Sequence, residues 1–517
     1  METKQSFIDR LIQDYTFKGP SITVGAPLLN GECLTGNFVK IPLKTLNRHG
    51  LIAGATGTGK TKTLQNIAEG LSNNGVAVLM MDVKGDLSGI AHAGTSNPKI
   101  EERSAKIGIG FKPSGFPVEL MSISEQSGAR LRATVSEFGP VLFSKILELN
   151  DTQQGVVALV FKYADDKQLP LLDLKDFKKL LNYVTNEGKA EITEAYGAIS
   201  TTTSGTILRK IVELEQQGAE LFFGERSFDV NDLTRMDENG KGIISILRLT
   251  DIQDRPKLFS TFMLSLLAEI YATFPEEGDL DQPKLVVFID EAHLIFKEAN
   301  KALLDQIESI VKLIRSKGVG IFFCTQNPTD IPAAVLSQLG LKVQHALRAF
   351  TAADRKMIKL TAENYPITEF YQTDELLTNL GIGEAAITAL NEKGNPTMLV
   401  ATLLCPPTSR MDILSESEIN ALNASSKLVK KYDEQIDRES AFEMLNAKIK
   451  NAVEVQEKSD TSATQKSKKV EKTTFEKIIA SPVTRSIGVT VAGALTRGLL
   501  GALGLGGRSS SKRKSIF

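Results

Sequence analysis

The segment Gly54-Ala55-Thr56-Gly57-Thr58-Gly59-Lys60-Thr61 carries residue types that suit the binding of an anion. It follows the apolar run 51–53 and precedes a segment with helical spacing of apolar residues, which gives the order strand, glycine-rich loop, helix. Glycines let successive backbone N–H groups curl around a phosphate, and the N-terminus of the following helix adds its positive end. The segment therefore predicts a loop that binds a nucleoside triphosphate.

The positions of this loop have separate expected roles. Lys60 is expected to reach the β- and γ-phosphates, and the Thr61 hydroxyl is expected to ligate Mg²⁺. The other residues expected to contact the nucleotide are Gly54, Ala55, Thr56, Gly57, Thr58, Gly59 and Lys62. The cofactors that these residues predict are ATP and Mg²⁺.

Acidic residues follow two of the apolar runs. Asp290 and Glu291 come directly after the run 285–289, and downstream of a phosphate-binding loop they predict a Mg²⁺ ligand and a group that polarises the attacking water, respectively. Asp82 follows the run 76–81. Because ligands bind at the carboxyl ends of strands in open α/β sheets, Asp82 is a second candidate metal ligand. A role in a turn is its equal alternative.

A glutamine and two arginines are further candidates for catalysis. Gln326 comes shortly after the apolar run 319–324 and could sense the γ-phosphate, since a glutamine orients water in other phosphate-loop enzymes. Its alternative is a turn residue before Pro328. Phosphoryl transfer also needs positive charge at the transition state, often an arginine from a neighbouring subunit. Arg315 and Arg348 could each supply it, or each could be a surface side chain whose stem covers apolar area.

Some classes of nucleotide hydrolase are disfavoured by strings that the sequence lacks. There is no Asn-Lys-x-Asp guanine signature and no Leu-Ser-Gly-Gly-Gln string, which disfavours a GTPase and a transporter-type ATPase. His293 completes an Asp-Glu-Ala-His string found in one helicase superfamily, but the late Gln/Arg-rich motif of that superfamily is missing. We therefore expect His293 to be structural.

Apolar periodicity predicts an α/β fold with a mainly parallel sheet flanked by helices, because the strand-like runs are apolar on both faces. The predicted segments are, in chain order, a β-rich N-terminal appendage (1–48), the first part of the core (49–90), a mainly helical insertion (91–240), the second part of the core (241–405), C-terminal helices (406–453) and a flexible linker with a Gly-rich basic tail (454–517).

Composition limits the remaining classes only weakly. The formal net charge is −1 over 517 residues, so there is no bulk basic signature for nucleic acid, although a channel can concentrate positive charge locally. Three widely separated cysteines have neither metal-binding nor redox spacing, and the reducing cytoplasm is the expected compartment. The N-terminus lacks the apolar core of a signal peptide, and no apolar run is long enough to predict a transmembrane helix.

Several segments together resemble the HerA/FtsK superfamily. They are the phosphate-binding loop with 47–50 before it, Asp82-Val83-Lys84-Gly85-Asp86-Leu87, Phe288-Ile289-Asp290-Glu291-Ala292-His293, 315–320, 325–328 and Gln344-His345-Ala346-Leu347-Arg348-Ala349-Phe350. More closely, the chain resembles the bacterial HerA-like proteins of the YjgR type, from about residue 20 to 450 and again in the Gly-rich tail.

This resemblance implies a hexameric ATPase with a RecA-like P-loop core and an inserted helical bundle, which moves double-stranded DNA through a central channel. It implies that Arg315 serves the neighbouring subunit and that Gln326 is the γ-phosphate sensor. A nuclease partner is also implied, although the segment 1–48 is shorter than the β-barrel that HerA proteins usually carry at this place.

A function of another class stays open on the sequence. The chain could be a nucleotide-gated assembly or signalling ATPase that acts on protein partners or on a membrane surface. The near-neutral net charge and the apolar stretch 475–505 favour this function. Basic loops facing the channel of a ring would indicate DNA as the substrate, and an acidic or apolar lining would indicate a protein.

Overall fold

The computed structural model describes residues 2–278, 280–297, 301–434, 436 and 438–462. By their contacts the residues form two compact units. The sheet unit comprises the described residues of Met1–Leu131 and Phe228–Glu434, and the helical unit comprises Arg132–Ser227 and the described residues after Glu434.

The strands of the described residues belong to one 13-stranded sheet, and all of them lie in the sheet unit. They are β1 (Ser21–Leu29), β2 (Glu32–Cys33), β3 (Val39–Pro42), β4 (Gly50–Ala53), β5 (Ala77–Asp82), β6 (Val118–Ser122), β7 (Ala129–Arg130), β8 (Ile244–Arg248), β9 (Leu285–Ile289), β10 (Val319–Thr325), β11 (Leu341–Gln344), β12 (Glu384–Thr388) and β13 (Val400–Leu404).

The helices range from one turn to six turns. They are α1 (Glu2–Tyr15), α2 (Lys60–Asn73), α3 (Pro98–Ile107), α4 (Val135–Ile146), α5 (Asp151–Lys167), α6 (Leu174–Thr185), α7 (Lys189–Tyr196), α8 (Thr201–Gln216), α9 (Pro256–Thr273), α10 (His293–Lys297), α11 (Lys301–Ile314), α12 (Ala333–Leu336), α13 (Ala352–Ala362), α14 (Thr373–Asn379), α15 (Glu416–Ser425), α16 (Lys427–Asp433) and α17 (Ala441–Ser462). Among the described helices, none combines the length and the apolar character needed to span a bilayer.

The sheet has the order β2-β1-β13-β12-β11-β4-β10-β9-β5-β8-β6-β7, and β3 also pairs with β1. From β11 to β7 every pairing is parallel, and from β11 to β2 every pairing is antiparallel. The central strands are buried along their whole length, as expected for parallel strands that helices cover on both faces. The predicted mainly parallel sheet flanked by helices is confirmed.

The N-terminal β segment continues the central sheet. β1 pairs antiparallel with β13, with Gly25 opposite Leu404, and the chain therefore adds its first strands to the antiparallel end of the sheet. α1 packs on the same end, where the buried Tyr15 hydroxyl lies 2.8 Å from the Met398 carbonyl oxygen and accepts a hydrogen bond from Thr397 at 2.9 Å. The segment 1–48 contains α1 and the strands β1 to β3, and backbone hydrogen bonds make its strands part of the core sheet.

The bounds of the helical insertion differ from the predicted 91–240. β6 pairs with β8 from Val118↔Ile244 to Ser122↔Arg248, and β7 pairs with β6, so the chain up to Leu131 belongs to the sheet unit. Phe228–Glu434 belongs to it as well, and there Asp232 accepts hydrogen bonds from Lys431 and Tyr432 of α16. The inserted part of the helical unit is therefore 132–227.

The helical unit contains α4 to α8 and α17. Aromatic rings fill its core: Phe143 lies 4.8 Å from Phe177, and Phe138 lies 5.0 Å from Phe223, measured between ring centroids. The C-terminal helices predicted over 406–453 are thus divided, since α15 and α16 belong to the sheet unit and α17 packs against α6. α17 extends into the predicted linker as far as Ser462, and the rest of that linker and the basic tail lie outside the described residues.

Tyr15→Phe should test how α1 is attached. The change removes a buried hydroxyl and leaves the Met398 carbonyl and the Thr397 hydroxyl without this partner, which we expect to lower the free energy of unfolding by about 1–3 kcal/mol. Urea unfolding followed by circular dichroism measures it. The same change at Tyr196, whose hydroxyl bonds the exposed Asp166 carboxylate, should cost less than about 0.5 kcal/mol. Equal losses at both positions would contradict the buried attachment.

Candidate P-loop nucleotide site

The loop 54–59 joins β4 to α2 in a conformation that requires glycine. Gly54 has φ 151° and Gly57 has φ 77°, both in the region that disfavours side chains. A Cβ atom at Gly54 would also lie 2.5 Å from the Cβ atom of His345. The predicted phosphate-binding loop therefore has the backbone curvature that its glycines implied.

Neighbouring strands hold this loop at the edge of the sheet. Gly54 N donates to the Thr325 carbonyl of β10 at 3.3 Å, and Ala55 N donates to the Ala346 carbonyl, beyond β11, at 2.9 Å. On the outer side, Gly383 N donates to the carbonyl of Thr58 at 3.0 Å. The loop is thus anchored through backbone groups on both sides of β4.

Lys60 begins α2 and directs its ammonium group into the loop. Its Nζ donates to the carbonyls of Gly54 and Ala55 at 2.7 and 3.2 Å, and burial together with the nearby Lys84 charge lowers its pKa. Thr61 follows in the first turn of α2. Lys62 differs, because its Nζ donates to the Met411 carbonyl at 2.6 Å and leaves only its backbone to contribute to the loop.

Asp290 follows β9 and is 6% exposed. Its pKa is raised from the ordinary 3.8 to about 6, chiefly by burial; the Lys84 charge opposes this shift and the Glu291 charge adds to it. Within the described part of the chain, Asp290 Oδ2 has no hydrogen-bond partner. A buried carboxylate oxygen with free lone pairs, together with the Thr61 hydroxyl, fits a hard cation such as Mg²⁺.

Glu291 is buried next to Asp290, and each of its carboxylate oxygens lies close to a basic side chain. Oε1 forms an ion pair with Lys84 Nζ, and Oε2 lies 3.1 Å from Nδ1 of His293. His293 thus contacts the candidate catalytic residue Glu291, and it is not part of the phosphate-binding loop. Lys84 was not identified from the sequence as a site residue, although the segment 82–87 is one of those that resemble the HerA/FtsK superfamily.

Asp82 ends β5 and organises the turn that follows it. Its Oδ1 accepts hydrogen bonds from Gly85 N and Asp86 N at 2.7 and 3.1 Å, and its Oδ2 accepts one from Leu87 N at 3.3 Å. Burial raises its pKa to about 6. Because backbone donors occupy both oxygens, the structure supports the turn role of Asp82 and not its candidacy as a metal ligand.

Of the three remaining candidates, Gln326 and Arg348 lie at the edge of the sheet that carries the loop, and Arg315 lies at the opposite edge. Gln326 follows β10 at the edge that carries the loop, since Thr325 pairs with Ala53 of β4. Arg315 is exposed in a short 3-10 helix (Arg315–Lys317) that precedes β10, at the opposite edge. Arg348 is exposed on the loop's own edge, where its Nη1 donates to the Thr378 carbonyl at 3.2 Å. One chain therefore brings Gln326 to the site and keeps Arg315 away from it.

His345 supports the loop from behind and was not identified from the sequence as part of the site. Its backbone N donates to the Ala53 carbonyl at 2.7 Å, and its Nε2 lies 2.9 Å from the Thr63 hydroxyl on α2. Burial lowers its pKa to about 4, so the ring is neutral at physiological pH. A neutral imidazole can fill this space without repelling the positive charge of Lys60.

β10 lies between the loop strand β4 and the acidic strand β9, so its polar tip adjoins both groups of residues. With this order of strands the sheet unit has a RecA-like P-loop fold, as the resemblance implied. The model of the family Helicase HerA-like C-terminal matches residues 29–510 of the chain. The chain therefore belongs to this family. The predicted HerA-like resemblance is confirmed.

Known relatives agree with this assignment. The chain is 24% identical over 367 residues to the DNA double-strand break repair helicase HerA of Sulfolobus acidocaldarius, a match covering 69% of this chain and 66% of that protein. It is 26% identical over 361 residues to the protein of the same name from Sulfurisphaera tokodaii, with coverage of 68% and 64%. The chain thus spans just under two thirds of the length of these relatives.

A solved structure shares the fold. The plasmid coupling protein TrwB, in complex with a non-hydrolysable ATP analogue, superposes with a TM-score of 0.52 at 14% identity, and the match covers 78% of this chain and 92% of TrwB. At this identity the likeness concerns the fold alone.

Asp290→Asn should stabilise the nucleotide-free protein at neutral pH. The unfolded carboxyl ionises near its ordinary pKa of 3.8, whereas the folded one ionises near 6. Above pH 6 folding therefore carries the full cost of a buried charge, and this cost falls as the pH decreases from 6 towards 3.8. Asparagine removes that cost, which we expect to amount to about 2–3 kcal/mol at pH 7.5 and about 1 kcal/mol at pH 4.5.

Thermal unfolding of both proteins at pH 7.5 and pH 4.5, without nucleotide or Mg²⁺, measures this difference. Asp9→Asn, a change at an exposed position of α1, serves as the control and should shift Tm little at either pH. A lower Tm of Asp290→Asn at pH 7.5 would show that the carboxylate stabilises the fold, contrary to this expectation.

Proposed function

We propose that the protein is an ATP-hydrolysing ring motor that couples hydrolysis to the translocation or unwinding of double-stranded DNA. The observation that carries the proposal is the buried pair Asp290 and Glu291 beside Lys60, whose pKa both carboxylates influence. Membership of the helicase HerA-like family supports the same function, and two of the relatives are named DNA repair helicases.

A few residues share the roles that ATP hydrolysis requires at this site. Lys60 and the backbone N–H groups of the loop bind the β- and γ-phosphates, while Thr61 and Asp290 hold Mg²⁺, which neutralises charge on the phosphate oxygens when bound. Glu291 accepts a proton from the water whose oxygen attacks the γ-phosphorus. Gln326 orients that water. The bond from the γ-phosphorus to the bridging oxygen breaks, and ADP and phosphate leave.

The position of Arg315 supports a ring of subunits. This arginine lies at the edge of the sheet opposite its own loop, so it can serve a nucleotide only on another chain. It lines an open cavity of about 570 Å³ together with Arg48, Lys312 and Lys342, and the single acidic residue of the lining is Glu363. This excess of positive charge suits the phosphates of a nucleotide held by a neighbour. We include a homo-hexamer and a nuclease partner in the proposal, with Arg315 rather than Arg348 as the arginine that acts in trans.

The proposed function predicts DNA-stimulated ATP hydrolysis that depends on two residues. Lys60→Ala should abolish nucleotide binding, because the loop loses its phosphate-facing ammonium group. Glu291→Gln should bind ATP normally and lower kcat by about 10²–10⁴-fold, because glutamine cannot take the proton from water. Glu238→Gln, on an exposed loop, is the matched control and should retain full activity.

Phosphate release measured with and without duplex DNA, at several salt concentrations, checks these outcomes. DNA contacts made mainly to phosphates should give stimulation that weakens as salt rises. Hydrolysis that ignores DNA at every salt concentration would contradict the DNA motor. It would favour the alternative of a nucleotide-gated assembly or signalling ATPase that acts on protein partners or a membrane surface.

Mixing two inactive variants should reveal an arginine that acts in trans. Arg315→Ala subunits keep an intact loop and Glu291, whereas Glu291→Gln subunits keep Arg315. Mixed rings therefore contain complete sites at some interfaces, and we expect activity that neither variant shows alone. ATPase assays on the mixture, after subunit exchange, measure this recovery. If mixing restores nothing while the two variants do assemble together, Arg315 does not complete a neighbour's site.

A further inference from the structure

Lys84 has no role in the hydrolysis proposed above, but it contacts the carboxylate of Glu291, which does. Lys84 lies in the turn after β5, and its Nζ forms an ion pair with Glu291 Oε1. β5 and β9 are adjacent parallel strands with Met81 opposite Ile289, so the pair joins the tips of two neighbouring strands. The contact therefore depends on the register of the sheet rather than on one flexible loop.

The turn that carries Lys84 is held on both sides of this residue. The Asp82 carboxylate accepts hydrogen bonds from the three backbone N–H groups of Gly85, Asp86 and Leu87. Before Lys84, the Val83 carbonyl accepts a hydrogen bond from Gln253 Nε2 at 2.7 Å. Hydrogen bonds within the protein thus fix the backbone at Lys84 without a nucleotide, and this defines the position of its Cα atom.

The charges of the pair compensate each other in a buried place. The Glu291 side chain is 8% exposed and that of Lys84 is 39% exposed. Burial alone would lower the pKa of Lys84, but its bond to Glu291 and the charge of Asp290 outweigh burial and raise it. The lysine is therefore a cation at neutral pH. A buried carboxylate without such a partner would be costly and free to reorient.

The backbone of Glu291 also needs support from its contacts. Its φ is 47°, a left-handed conformation that non-glycine residues adopt rarely and keep only when their surroundings hold them. Among the described residues, Lys84 forms an ion pair with Oε1 and His293 lies next to Oε2 of this side chain. Of the two, Lys84 adds a full positive charge and comes from a different strand.

We propose that Lys84 is a positioning residue for ATP hydrolysis, which holds the Glu291 carboxylate beside Lys60 where the attacking water must meet the γ-phosphate. It takes no proton and does not touch the reacting atoms. The inference rests on the proposed role of Glu291 as the group that activates water. It assigns a purpose to the segment 82–87, in which Asp82 shapes the turn so that Lys84 reaches its partner.

Lys84→Met should lower kcat by about ten- to a hundredfold, because small misplacement of a catalytic group has large effects on rate. KM for ATP and the affinity for a non-hydrolysable ATP analogue should change less than about threefold, since phosphate binding stays with the loop and Lys60. Lys84→Arg should keep most of the activity, because a guanidinium can form the same ion pair. Steady-state kinetics and fluorescence titration measure these quantities.

Lys431→Met is the matched control. Lys431 is also 39% exposed and pairs with Asp232 at 2.7 Å, outside the nucleotide site, so losing this pair should leave kcat per folded molecule unchanged. An unchanged or increased kcat of Lys84→Met, in a protein where Glu291→Gln is inactive, overturns the positioning role and leaves the proposed function intact. A fully active Glu291→Gln overturns the proposed role of Glu291 itself.

A second measurement needs no turnover. In the nucleotide-free protein, Lys84→Met should lower Tm more in the wild-type background than in the Glu291→Gln background. In the wild-type background the change leaves the Glu291 carboxylate charged and unpaired, whereas a glutamine at this position carries no charge. Differential scanning fluorimetry of the two single variants and the double variant gives this coupling. Strictly additive Tm shifts would mean that the two side chains do not interact, and the inference would be wrong.

Discussion

Parallel hydrogen bonding of four adjacent strands determines where chemistry can occur in this molecule. Thr325 pairs with Ala53, Phe323 with Ile289 and Ile289 with Met81, so the residues that follow β4, β5, β9 and β10 emerge together at one edge. A slip of one residue along any of these strands would turn its side chains to the other face and withdraw a polar tip. The buried apolar strands thus fix the register, and through it the meeting of acids, lysines and glycine-rich loop.

The site is built at a cost to the fold. Asp82 and Asp290 are buried carboxyls whose pKa values burial raises to about 6, and His345 is a buried imidazole whose pKa burial lowers to about 4. Burying Asp82 and His345 lowers stability but maintains the local structure, since Asp82 orders a turn and His345 packs behind the loop. Burying Asp290 lowers stability but leaves a carboxylate oxygen available to bind a cation. Such opposed demands of stability and function are typical of active sites.

Local patterns in the sequence predicted the features that depend on neighbours in the chain. The loop and α2, the run 285–289 and its two acids are encoded within a few residues, and the structure shows each of them. Pairing between distant segments left no local trace, so the addition of β1 to β13 and of β6 to β8 appeared only in three dimensions. Lys62 shows a further limit: it adjoins the loop in sequence, but helical rotation of about 100° per residue turns its side chain to Met411.

The strand β10 consists of seven buried residues; Arg315 lies in the short 3-10 helix before it, and Gln326 directly follows its last residue. Its first residues pair with β9 and its last with β4, so it is held in the sheet along its length of about 20 Å. In the proposed ring, one end of this strand would lie at the subunit's own nucleotide and the other end at the neighbour's. The length of one rigid strand would then set the spacing between successive nucleotides around the ring.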